Sequence, residues 1–275
     1  MFRSSLAAAF VIGAGGLLLS LSPAEAAGPS GLVAHRAIYD LELKDATDRS
    51  GIAGMFGRMV YEFNGSDCTG FTTNFRFVTQ IDTGDATRMS DQQTKTFEDL
   101  TKRTFKFETK SFTDQQLDKD VAGAATDEQK GVKVDLQQPM AKQIDLAESR
   151  FPTEHMLDII HNAKLGKNFF EARVFDGSDD GDKSLVATTV VGKSEMPKSD
   201  DADADKAGAF AKTAFWPVTI AYFNEKGTGD AMPVYRMSFK LYENGITRDL
   251  TMDYGDFVLT GKLTKLEMLD AKACK

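Results

Sequence analysis

The chain is poor in the residues that carry most metal and nucleophilic chemistry. Its 275 residues include three histidines, two cysteines and one tryptophan. So few soft ligands leave little for a multi-ligand metal site, and the histidines, at 35, 155 and 161, lack the i, i+4 spacing of a zinc-binding H-E-x-x-H helix. No G-x-S-x-G nucleophile turn follows residue 26. The glycine cluster Gly13 to Gly16 has no strand–helix context, so it is not a dinucleotide loop. Basic charge is also short: 33 Lys and Arg against 41 Asp and Glu give a net charge of −8. That balance disfavours nucleic acid, whose phosphates call for a basic face. Beyond the first 26 residues no apolar run reaches the roughly 18 residues of a membrane helix. No catalytic, cofactor-binding or metal-binding residue is therefore assigned.

The first segment reads as an address. Arg3 supplies a positive start, Leu6 to Leu21 is uncharged and mostly apolar, and Ala24-Glu25-Ala26 fits the small-x-small rule. This is the pattern of a secretory signal cleaved after Ala26. No cysteine follows directly and no paired arginine precedes, which disfavours the lipoprotein and twin-arginine routes. The expected mature protein is a single domain, 27–275, exported by the general secretory route to the periplasm. Cys68 and Cys274 both lie in it. In an oxidising compartment an even count favours one disulfide, while two buried or reduced thiols is the alternative. A bond closing so long a loop would stabilise by roughly 5 kcal/mol in the chain-entropy account.

Alternation of period two dominates what remains. Val33, Ala37, Tyr39, Leu41 and Leu43 share one face; Met55, Met59, Tyr61 and Phe63 repeat the habit, then Phe71, Phe75, Phe77 and Ile81. Phe105 with Phe107, and Val132, Val134 and Leu136, continue it. Further runs follow at 169–175, 185–191, 215–223, 234–242, 246–254 and 257–269. These are strands. Asn244-Gly245 and Gly255-Asp256 are hairpin turns, so the last strands form a meander. About a dozen antiparallel strands are expected, in a curved sheet that closes or nearly closes on itself. Charges such as Arg36, Asp40 and Glu42 opposite the apolar face exclude a lipid-facing outer-membrane barrel. One helix interrupts the strands: Pro152 starts it, Thr153 is the expected cap, Met156, Leu157, Ile160 and Leu165 make the stripe, and Gly166 stops it. It is expected to pack on or plug one opening of the sheet. Pro197 to Gly208, rich in Asp and low in apolar residues, reads as a mobile surface loop.

Each candidate site has a plain structural reading beside it. His155 and His161, six residues apart, point about 120° from one another on a helix and read as helix-surface residues. His35 lies in a strand without a neighbouring nucleophile motif and reads as bonded to a strand or backbone group. Asp176 to Asp182 suggests a calcium loop, but an EF-hand aligned from Asp176 would need an apolar residue at Lys183 and a Glu at Ala187, so a solvated turn is expected. Asp249, Asp253 and Asp256 surround a hairpin, where carboxylates usually bond turn amides rather than work as a glycosidic pair. Twenty phenylalanines and six tyrosines point to a large packed or cavity-lining interior.

Several segments taken together carry a resemblance: Ala34-His35-Arg36-Ala37-Ile38-Tyr39, Gly57 to Phe63, Cys68 with Phe71 to Phe77, Phe151 to His155, Phe175 to Gly181, Trp216 to Ile220, Leu241 to Gly245, Asp253 to Phe257, and the terminal Cys274. Over nearly all of the expected mature chain the sequence resembles the EipB-type cell-envelope integrity proteins of alphaproteobacteria. The resemblance implies a periplasmic protein with a β-spiral, an open sheet wound into an overlapping barrel. It also implies a disulfide between Cys68 and Cys274, a part in envelope maintenance under stress, and, more weakly, a partner built of tetratricopeptide repeats. The expected function is non-catalytic support of envelope integrity through binding. A carrier or chaperone for lipids or lipoproteins is one alternative. A peptidoglycan or glycan hydrolase is the other, and it would require His35 or paired carboxylates to meet in one pocket.

Overall fold

Residues 31–128, 130–225 and 232–270 are described in a computed structural model of the chain. The expected signal segment, its cleavage point and Cys274 lie outside them. Among the described residues, fourteen strands form one sheet. The first eight are β1 (His35–Ala46), β2 (Gly54–Ser66), β3 (Gly70–Asp82), β4 (Thr87–Asp99), β5 (Thr104–Thr113), β6 (Gln116–Glu128), β7 (Gly131–Gln138) and β8 (Lys142–Leu146). Helix α1 (Pro152–Lys164) follows, then β9 (Phe169–Val174) and β10 (Leu185–Val191), a one-turn helix α2 (Ala202–Asp205), and β11 (Trp216–Asn224), β12 (Tyr235–Leu241), β13 (Thr247–Asp253) and β14 (Phe257–Met268).

The spatial order runs from β8 down to β1, then β14 down to β9, every pairing between strands being antiparallel. Two meanders are thus joined where the first and last strands meet: Tyr39 stands opposite Met59 on one side and Leu263 on the other. The ends of the sheet, β8 and β9, are joined in sequence by the segment holding α1. Arg150 in that segment makes a short parallel bridge to Val174 of β9, with the Phe175 amide donating to its carbonyl at 2.9 Å.

Side chains explain the winding. Alternation puts Ala37, Tyr39 and Leu41 of β1, Met59 and Phe63 of β2, Leu250 and Met252 of β13, and Leu259 and Leu263 of β14 into one large core with the inner face of α1. A second, smaller core lies between Phe105 and Phe107 of β5, Val121 and Ala125 of β6, Val132 and Val134 of β7, and two rings from outside these strands, Phe151 and Phe175. Phe151 precedes α1 and Phe175 follows β9. Phe151 stacks on Phe105 at 5.3 Å, and Phe175 meets Phe107 edge-on at 5.6 Å. One end of the sheet therefore laps over the other and is held by aromatic burial, worth about 1.5–3 kcal/mol for each fully buried ring. The sheet is wound but open, as the strand pattern and the resemblance led one to expect.

Two local expectations need correction. Thr153 does not cap α1: it lies inside the helix, and the cap position is Phe151. The free amides of the first turn find their acceptor on another element. The Thr153 and Glu154 amides donate to the two carboxylate oxygens of Glu98 on β4, at 2.7 and 3.0 Å, while the Phe151 amide donates to the Glu154 carboxylate at 3.2 Å. The acidic segment around α2 is not a plain surface loop: it holds a helical turn and is tied to the sheet. Arg248 faces inward on β13 with no exposed side-chain surface, and Asp201 answers it at 2.9 Å. Asp201 also takes Lys240 at 3.0 Å, and the Asp203 carboxylate accepts the Asp249 amide at 2.7 Å. A buried guanidinium needs an anion, and that need pulls the polar segment down until Ala204 and Ala207 are buried.

An aromatic-lined interior cavity as candidate site

The large core is not filled. A cavity of about 280 Å³ lies between the sheet and α1. Tyr39 of β1, Met59, Tyr61 and Phe63 of β2, and Phe75 of β3 form one wall. Ile220 and Tyr222 of β11 with Met237 and Phe239 of β12 form another, and His155, Met156 and Ile159 close it from the helix. These positions face inward because each strand contributes every second residue and the helix its i, i+3, i+4 stripe.

The wall's polar groups are few and mostly engaged. Tyr39 Oη donates to the Thr247 carbonyl at 2.7 Å, and the Tyr61 hydroxyl bonds Thr73. Burial pushes both phenols, and that of Tyr222, upward. His35 lies 5.8 Å from the Tyr61 ring, and its Nδ1 is 2.8 Å from the Val33 carbonyl. A carbonyl can only accept, so Nδ1 carries the proton. Burial holds the His35 ring below the ordinary imidazole range. His155, 4% exposed, lies edge-on to Phe170 at 6.3 Å. Burial lowers it to about 4, so it too is neutral at pH 7. Among the described residues its Nε2 has no hydrogen-bond partner, and an orphan of this kind costs roughly 1–3 kcal/mol.

The fold thus brings His35, His155 and Asp176 to one cavity and leaves the other candidates apart. His155 is not the helix-surface residue that spacing alone suggested, because α1 turns that face to the sheet; His161 is exposed. His35, placed by its bond to the Val33 carbonyl, matches the backbone-bonded reading. Its position could have been read from parity, since it shares the face of Ala37 and Tyr39. Asp253 accepts the Gly255 amide at 2.9 Å, Asp256 faces Arg49 at 3.3 Å, and Asp249 pairs with Lys240 at 2.8 Å, so this trio serves a hairpin and surface ion pairs.

In the 176–182 turn, Asp176 Oδ1 accepts the Ser178 amide at 2.9 Å, Asp179 pairs with Lys183 at 2.9 Å, and Asp180 with Lys119 at 3.1 Å. Among the described residues no group of three or more His, Cys, Asp and Glu converges as metal ligands would. Cys68 lies in the tight turn between β2 and β3, and its expected partner is outside the described residues.

Glu98 was not visible as a functional residue in the sequence. Strand β4 is polar on both faces, and Glu98 is its only buried position, 2% exposed. Burial raises its carboxyl to about 7 even though two backbone amides donate to it. Its charge also acts on the neighbouring Tyr61 phenol.

Comparison with known proteins agrees with this architecture. The EipB-like family model matches residues 26–270. The cell envelope integrity protein EipB of Brucella abortus (strain 2308) is 50% identical over 248 residues, 90% of this chain and 88% of that protein. The crystal structure of a beta-barrel-like protein of a domain of unknown function, also from Brucella abortus, superposes with a TM-score of 0.82 at 50% identity, covering 87% of this chain and 99% of that one.

Proposed function

Because the chain belongs to the EipB-like family, we propose that it is an exported, non-catalytic protein that supports cell-envelope integrity by holding an apolar ligand inside its wound sheet. The observation carrying this reading is the cavity between the sheet and α1, walled by tyrosine, phenylalanine, methionine and isoleucine. The signal pattern at the N-terminus supports a periplasmic location. The hydrolase reading draws little support: the His35 ring proton goes to a backbone carbonyl rather than to an orienting carboxylate, and the hairpin carboxylates serve their own turn.

A strain lacking this protein should lose resistance to detergents and β-lactams. The wild-type gene should restore it, and a Met59→Trp gene, which fills the cavity, should not. Unchanged resistance in the deletion strain would remove the envelope role. Full rescue by the filled variant would leave that role standing and remove the cavity from it. The same cavity makes a carrier or chaperone for lipids or lipoproteins the more specific form of the proposal. Native mass spectrometry of the purified protein tests it through a co-purifying apolar species. A tetratricopeptide-repeat partner is a further proposal, resting on the family resemblance alone and tested by pull-down from envelope extract.

A further inference from the structure

Among the described residues that line the cavity, one polar atom is both fully buried and without a hydrogen-bond partner. His155 Nε2 is buried and unpartnered on a ring that lines the space. Such atoms are rare in native interiors, and each asks for a reason. The neighbouring polar groups with known partners are already committed: Tyr39 to Thr247, Tyr61 to Thr73, and Asp176 to the Ser178 amide. Among the described residues the lining includes no lysine or arginine, and its one acid is Asp176. An ionised carboxylate or phosphate brought inside would be desolvated without a counter-charge and would face that carboxylate. A neutral group that can hydrogen-bond meets no such penalty. The volume, about 280 Å³, sits at the lower edge of ordinary ligand pockets, which argues for one chain rather than two.

We propose that the cavity binds a single acyl chain bearing a neutral hydrogen-bonding group, a hydroxyl, ester or amide, and that His155 Nε2 is the atom that engages that group. The inference rests on the reading of the cavity as a ligand site and adds the ligand's chemistry and its anchor. It predicts selectivity against ionised fatty acids of equal length.

The test loads the purified mature chain with the fluorescent apolar dye N-phenyl-1-naphthylamine. The dye is then displaced with 1-monodecanoylglycerol or with decanoate, each below its micelle concentration. The monoglyceride should displace the dye at a concentration about tenfold lower than decanoate. His155→Leu should raise the monoglyceride concentration required about fivefold, the loss of one net hydrogen bond, without weakening the dye. His155→Gln, which keeps a polar group there, should recover part of the loss. On the wild type, the nitrogen resonance of His155 Nε2 should shift with monodecanoylglycerol and stay in place with decanoate. Failure of the dye to bind would overturn the cavity reading itself. Dye binding with equal displacement by both compounds, or with an unmoved Nε2 resonance, would overturn this inference alone, and the resonance decides the matter even if His155→Leu does not fold.

Discussion

Glu98 accepts the first two free amides of α1 while almost fully withdrawn from water, and burial outweighs those donors in setting its protonation. Its carboxyl moves from about 4.5 in the open chain to about 7 in the fold. A group with a raised native pKa contributes stability that is fully present below its unfolded value and lost as pH climbs through the native one. Glu98 therefore makes the fold less stable between pH 4.5 and 7, and Asp203, pushed to about 6 by burial, adds to the slope. His155 acts in the opposite sense. Its lowered pKa gives stability present above 6.5 and lost as pH falls toward 4, and His35 shifts in the same direction. The two tendencies oppose each other in the wild type. In Glu98→Gln only the Asp203 slope is left to oppose the histidines, so the loss of stability on raising the pH from 4.5 to 7 should be much reduced. The stability of the wild type relative to this variant should fall by on the order of 3 kcal/mol between pH 4.5 and 7. Urea titrations at a series of pH values measure this, and parallel curves for the two proteins would show that folding leaves the Glu98 pKa unshifted.

Elements whose faces differ sharply were legible in the sequence; those whose environment is mixed were not. Strands β1, β2, β3 and β10 to β14 alternate as expected because one face meets the large core and the other meets solvent. Strand β4 gave no signal, since Glu98 is its only buried residue, and β6 gave little, since Ala122, Gly123, Ala124 and Ala125 offer no bulk to count. The start and stop of α1 were legible from Pro152 and Gly166. Its cap was not, because the acceptor comes from a strand 55 residues earlier in the chain. The 176–182 turn was misleading in an instructive way: its glycines matter more than its aspartates. Gly177 has φ +69°, and a Cβ there would lie 2.4 Å from Phe107 Cγ, so the turn presses its backbone onto the small core. Gly84, at φ +83°, has open space around it and serves as a control for backbone strain alone. Gly84→Ala should cost roughly 1 kcal/mol. Gly177→Ala should cost about 2 kcal/mol more, through displacement of Phe107. Denaturant midpoints of the two variants read out the difference, and equal costs would mean that the turn moves freely off the core.

At the scale of the molecule, a sheet left open along its length must be held at its rims, and strand register identifies one place where a covalent tie would serve. His35 opens β1 opposite Phe63 on one neighbour and Met268 on the other. The end of β2 and the end of β14 therefore reach the same rim with a single strand between them, a gap of about 10 Å. Cys68 stands in the turn just beyond that end of β2, and the chain continues from Met268 toward Cys274. We propose on this ground that the two cysteines are joined, so that the junction of the two meanders is clamped where β1 begins. The oxidised protein should then show no thiol reactive toward Ellman's reagent in denaturant. Cys68→Ser should melt lower than the wild type, the chain-entropy account allowing a loss of up to roughly 5 kcal/mol. Reductant should bring the wild type down to the variant and leave the variant where it is. Because the clamp would close the rim next to His35, loosening it should also weaken dye retention in the cavity before the sheet unfolds. Two free thiols in the native protein, or a melting point indifferent to reductant, would leave the rim held by register and aromatic packing alone.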